Sequence, residues 1–106
     1  MKDCVFCKIV RREISAEVEK ETSNLLVFKD IKPRAPFHLL LVPKEHIEDV
    51  RGDSGVLWAS IGKLAVKIAH EKGLMGFRLV HNAGTSAAVK HMHVHLLGDI
   101  SVDREV

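Results

Sequence analysis

The sequence predicts an α+β fold: an antiparallel sheet of about five strands with one long amphipathic helix and a short N-terminal helix. Two observations carry this. Short apolar runs follow one another between turn residues in hairpin-like order, and a single longer segment, 56–72, repeats its apolar residues every three or four positions. A chain of 106 residues that is 46% hydrophobic and 28% charged has the composition of a folded globule, and is of a size to form one domain, 1–106, around one core.

Each element has its own signal. Val5, Phe6, Ile9 and Val10 have helical spacing, so a short helix or turn is expected over 4–12, ending before Ser15. "AEVEKET" (16–22) and "NLLVFKD" (24–30) read as two antiparallel strands joined near Thr22 to Asn24. Two prolines make "KPRAP" (32–36) a loop, since proline removes a backbone donor and restricts its predecessor. "FHLLLVP" (37–43) is a central-strand candidate stopped by Pro43. "KEHIEDV" (44–50) is expected to open as a turn and continue as a helical turn, and "RGDSG" (51–55) offers Asp53 or Ser54 as a helix N-cap. The long helix presents Leu57, Ile61, Leu64, Ala65, Ile68 and Ala69 on one face, and Gly73 is placed to end it in a left-handed conformation. "GFRLVHN" (76–82) reads as a strand, 83–88 as a loop, and "VKHMHVHLLG" (89–98) as the last strand.

Bulk properties exclude several functions. Net charge is +2 with the basic residues scattered, apart from Lys8, Arg11 and Arg12, so no nucleic-acid stripe is present. Apolar runs such as 39–42 are far too short to span a bilayer, and residues 1–20 carry charges where a signal peptide would be apolar. A soluble cytoplasmic protein with neither nucleic-acid nor membrane partner is expected. Cys4 and Cys7 lie too close together for the disulfide framework of a secreted module, which leaves metal or redox chemistry. Redox Cys-x-x-Cys pairs normally follow a strand in a βαβ unit, and none precedes this one. The pair is expected to supply half of a tetrahedral zinc site, with free thiols or a redox pair as the alternatives.

Three of the seven histidines alternate in "KHMHVH" (90–95). On a strand, His91, His93 and His95 share one face, with Lys90, Met92, Val94 and Leu96 on the other. A neutral imidazole is a usable nucleophile near neutral pH, because its unperturbed pKa is about 6.5. An acceptor on Nδ1–H would leave Nε2 free to attack phosphorus, while neighbouring imidazoles could bind the phosphate or protonate a leaving group. A plain polar strand face is the alternative for such a row.

"HMHVHLL" (91–97) resembles the signature of the histidine triad family of nucleotide-binding hydrolases and transferases, and "CVFCKIVRREI" (4–14), "VFKDIKPRAPFHLLLVPKEHI" (27–47) and "GFRLVHNAG" (76–84) extend the likeness over nearly the whole chain. The resemblance implies a HIT-like fold with His93 as a nucleophile that forms a nucleotidyl-histidine, and His95 at the phosphate and leaving atom. It also implies Asn82 near the phosphate and His38 supporting the site. Asp30 would accept from ribose hydroxyls, a task for which a carboxylate suits because it can accept from two at once, while Ile31 packs on the base. Phe6, Ile9, Phe28 and Leu40 match apolar pocket positions. Residue types alone would call these four core, would make Asp30 the end of a strand before a turn, and would make His38 a half-buried strand residue. In members that carry the cysteine pair, His46 and His91 match the remaining ligands of a structural Zn2+ site; no organic cofactor is implied. His70 and His81 match nothing and read as surface or packing residues.

The family's loop before the first histidine holds Gly-Gln and then Ser or Thr, whereas here it is "SAAVK" (86–90). Ser86 therefore replaces a glycine, and Ala88 stands where a hydroxyl would meet phosphate; the missing donor is worth about 1–3 kcal/mol of transition-state stabilisation. The expected function is that of a purine nucleotide-binding hydrolase or nucleotidyl transferase acting at the α-phosphate of a nucleoside phosphoramidate or related AMP or GMP conjugate. Alternatives are a dinucleoside polyphosphate hydrolase, a non-catalytic purine-nucleotide binding module and a zinc-stabilised structural domain. The family commonly pairs as homodimers, with Trp58 and Met75 as interface candidates.

Overall fold

The computed structural model describes residues 3–105, so residues 1, 2 and 106 of the expected domain lie outside the described residues. Helix α1 (Val5–Val10) opens on Cys4, whose Sγ accepts from the Cys7 N–H at 3.3 Å. Strands β1 (Val18–Glu21) and β2 (Leu25–Lys29) form the expected hairpin, its turn closed by Thr22 Oγ1, which accepts from Leu25 N–H at 3.0 Å. Strand β3 (Phe37–Pro43), helix α2 (Val56–Glu71), strand β4 (Phe77–His81) and strand β5 (Val94–Gly98) complete the fold. The five strands pair antiparallel throughout in the order β1-β2-β3-β5-β4.

Because side chains alternate across strands, the sheet has two different faces. Leu25, Val27, Leu39, Leu41, Val94 and Leu96 pack with Met92 against Ile61, Ala65 and Ile68 of α2. Leu26, Phe28, Leu40 and Val42 point the other way and pack against Phe6 and Ile9 of α1. Each fully buried aliphatic side chain contributes about 1.5–3 kcal/mol. The register that buries both sets puts His38 and His95 on the α1 face, since Leu40 pairs with His95 and His38 with Leu97.

Three local differences from the sequence reading have physical causes. The last strand starts at Val94 instead of residue 89: β4 ends at His81, the partner of Val94, and β3 runs on past Leu41, its last partner in β5, paired there with β2 alone. At α2, the N-cap is Gly55 with φ 107, a left-handed conformation that glycine tolerates, and Asp53 acts from further back, accepting from Leu57 N–H at 3.1 Å and Trp58 N–H at 2.8 Å. The helical turn expected within 44–50 falls at Val50–Gly52, a 3-10 turn capped by Asp49. At the other end of α2, Gly73 has φ 64, and its N–H and that of Leu74 close the helix onto His70 and Ala69 carbonyls, as expected of a Schellman cap. Among the described residues, no helix is long and apolar enough to cross a membrane.

Candidate active site

Residues 91–93 run on from β5 without a ladder, held by other means. Met92 N–H donates to Ile47 O at 2.8 Å, and the alternation persists: Met92 enters the α2 core while His91 and His93 meet the Phe6 ring edge-on at 5.9 and 5.0 Å on the α1 side. Phe6 also packs edge-on against Phe28 at 5.7 Å.

Hydrogen bonds decide which nitrogen of each imidazole is available. A carbonyl only accepts, so His91 must carry its proton on Nε2, 2.8 Å from Pro43 O, and His93 on Nδ1, 2.7 Å from His91 O. His91 is left with a lone pair on Nδ1 and His93 with one on Nε2. His38 is set by a donor instead: Arg34 N–H points at its Nδ1 at 3.0 Å. The proton of neutral His38 is therefore on Nε2, which donates to His95 Nδ1 at 2.9 Å and leaves the His95 proton on Nε2.

Electrostatics keep these rings neutral. Burial lowers His93, against an opposing pull from its bond to the His91 carbonyl. Burial likewise lowers His38, which Asp30 partly offsets and Arg34 reinforces. His95 is pushed down to about 4 by burial, then by His93 and His38. His93 is thus a neutral imidazole with its lone pair on Nε2, and His95 a neutral ring with its proton on Nε2.

Asp30 sits at the rim, its Oδ2 3.4 Å from His38 Nε2 and its Oδ1 accepting from Lys32 N–H at 2.8 Å. It therefore does end the strand in a turn, and it faces the histidines as well. Asp30, His38 and His95 are close enough to be considered as metal ligands. The Arg34 N–H argues against this, because it commits the His38 lone pair to Nδ1 and the proton to Nε2.

A second cluster lies one side chain away. Cys4, Cys7, His46 and His91 offer ligand atoms that lie within 4.8 Å of one another. His91 Nδ1 is 3.2 Å from Cys4 Sγ, 3.5 Å from Cys7 Sγ and 3.1 Å from His46 Nδ1, and the latter is 3.3 Å from Cys7 Sγ. A zinc ion with ordinary bond lengths would set such edges at about 3.3–3.6 Å. The donor set fits a tetrahedral ion, and the His91 Nε2–H on Pro43 O is the outer partner that a metal-bound imidazole needs. Burial pushes the Cys7 thiol up, a tendency a bound cation would reverse.

A family model described as "Scavenger mRNA decapping enzyme C-term binding" matches residues 3–104. Protein HitA of Neisseria gonorrhoeae is 38% identical over 104 residues, covering 92% of this chain and 97% of that protein. The chain belongs to the histidine triad (HIT) family. Solved structures of HIT family hydrolases agree: that from Clostridium thermocellum superposes with a TM-score of 0.90 at 37% identity, covering 100% of this chain and 98% of its own. The Legionella pneumophila Philadelphia 1 structure gives 0.87 at 44% identity over 93% and 95%.

Within this HIT fold the structure brings the expected residues together unevenly. Phe6, Ile9, Phe28 and Leu40 share one buried cluster, and His38 and His93 are buried beside it. Ile31 is 90% exposed beyond Asp30. Asn82 is half-buried just after β4, and Ser86 and Ala88 are exposed on the loop that follows; among the described residues no hydrogen bond joins these three to the histidines. The sequence reading missed Asp49. Only 2% exposed, it accepts from Arg51 and from Gly84 N–H at 3.1 Å, and Arg51 holds its carboxyl well below the usual range. It anchors the loop before the triad, and nothing in "IEDVRG" signals that.

Proposed function

We propose that this protein is a purine nucleotide-binding hydrolase or nucleotidyl transferase that acts on the α-phosphate of a nucleoside phosphoramidate or related conjugate through His93. The observation that carries the reading is the proton arrangement: a lone pair on His93 Nε2 beside a proton on His95 Nε2. The likeness to structures named HIT family hydrolases supports the reaction class. His93 Nε2 attacks phosphorus, a P–N bond forms, and the bond to the leaving group breaks with its electron pair on the departing atom. That atom takes the His95 Nε2 proton, which His95 regains from water. Positive charge developing on His93 is met by the His91 carbonyl on Nδ1–H. Water then attacks phosphorus, and the P–N pair returns to His93.

In this reading Asp30 binds ribose hydroxyls, Phe6, Ile9, Phe28, Leu40 and Ile31 receive the base, and Asn82 with the 86–88 loop faces phosphate. Exposure of Ile31 accords with a residue waiting for a base. Zn2+ held by Cys4, Cys7, His46 and His91 would tie α1 to the triad as a structural ion within one domain, 1–106. Phe77 and Leu79 on the edge strand β4, with Trp58 and Val66 on α2, are large exposed apolar residues suited to a homodimer contact.

Turnover of an adenosine phosphoramidate with a fluorogenic amine tests this. The wild type should release amine and His93→Ala should lose about 10⁴-fold or more in kcat while still binding AMP. No release by a folded, AMP-binding wild type would sink the enzymatic reading. Ala88, which lacks the hydroxyl, favours a second one in that event: a non-catalytic purine-nucleotide binding module.

A further inference from the structure

We infer that His81 is a positioning residue for His93, holding that residue's carbonyl from the opposite face of the sheet. The inference rests on the reading of His93 as nucleophile and deepens it. His81 pairs with Val94, so its side chain lies on the α2 side, away from the site. From there its Nδ1–H donates to His93 O at 2.9 Å, and its Nε2 accepts from Val50 N–H at 3.0 Å. Both nitrogens are engaged, so the ring cannot turn without losing two bonds.

The placement matters because the paired register ends at Val94 on both sides, one residue after His93, and the His81 ring holds the His93 carbonyl where regular pairing gives out. Without that ring the peptide could shift and carry the imidazole with it, and small misalignment at a reacting atom is costly. The chain of contact runs from the 3-10 turn at Val50 through His81 to His93. Asp49, which caps the same turn, also holds Gly84 N–H, so one turn anchors both the nucleophile and the loop before it. Trp58, the single tryptophan, packs edge-on to the His81 ring at 5.8 Å and closes it against α2. An apolar residue would fill the same space; only a side chain with a donor and an acceptor makes both bonds.

Three variants separate positioning from packing. His81→Asn keeps a donor near the Nδ1 position, His81→Gln reaches the Nε2 position and serves Val50 instead, and His81→Leu serves neither. On the fluorogenic adenosine phosphoramidate, kcat should fall roughly tenfold or more in the Gln and Leu variants, and Asn should recover most of it. The Kd for AMP should stay within about twofold throughout, because the bond acts on the reacting atom. Equal losses in Asn and Gln, or losses that follow Tm, would overturn the assignment. Imidazole ¹⁵N spectra give a readout independent of turnover: His93 should hold one Nδ1-protonated tautomer in the wild type and Asn variant and mix tautomers in Gln and Leu. An unchanged His93 signal in all four proteins overturns the inference even if the wild type proves inactive on this substrate, an outcome that would count against the proposed function alone.

Discussion

Two histidine clusters sit side by side on one face of the sheet and do opposite things with their protons. At Cys4, Cys7, His46 and His91, the backbone takes the outer proton of His91 and its lone pair turns inward to meet other ligand atoms. At His38, His93 and His95, lone pairs and protons alternate along a chain that starts from the Arg34 N–H and ends on the donor of His95. His91 and His93 are two residues apart and differ in which nitrogen meets a carbonyl, Nε2 or Nδ1. That single difference separates the proposed metal ligand from the proposed nucleophile.

The strongest way to break the contrast is to remove the convergent cluster. Cys7→Ser, or chelation of the wild type, should cost the bound zinc and lower Tm by about 10–20 °C, since a structural ion contributes several kcal/mol. Purified wild type with no zinc by elemental analysis, or a Tm that does not move, would refute the metal role. Next comes the proton chain. His38→Leu strips His95 of its donor, and kcat should fall about tenfold or more with AMP affinity much less affected; unchanged kcat in a folded variant would mean His95 does not depend on His38.

Smaller effects sharpen the picture. Ala88→Ser restores a hydroxyl to the loop, and a severalfold gain in kcat/KM is expected from an added phosphate donor, up to about 1 kcal/mol. A neutral or harmful result would show that this loop approaches phosphate differently. The smallest signal is in stability against pH. His95 titrates at about 4 when folded, while the unfolded side chain titrates near the ordinary value of about 6.5. Between those values the unfolded state binds a proton that the folded state does not, so stability falls as pH drops from about 6.5 to about 4, with no further loss from this group below. Denaturation midpoints of wild type and His95→Gln should converge across that window; parallel curves would show that His95 is not held neutral by the fold.

Much of the architecture was legible in the chain. Period-two and period-three-to-four patterns are direct consequences of burying one face, so the five strands, the long helix and its Gly73 stop followed from residue order. The His38, His93 and His95 face followed from the same alternation. Element ends were less legible where a tertiary partner sets them: nothing local to residues 89–93 says that β4 has already ended and that β3 no longer pairs with this segment.

His81 and Asp49 mark the boundary most clearly. In the sequence, His81 is a strand histidine without a match and Asp49 an acidic residue in a turn. Only tertiary structure brings one beneath the His93 carbonyl and the other against Gly84 N–H. Sequence by itself determined which residue types share a face, because that depends on backbone periodicity. Protonation and pairing were decided by the fold, since the nitrogen that keeps its lone pair depends on which distant carbonyl or N–H stands opposite, and residues 43 and 34 reach 91 and 38 only once the sheet is assembled.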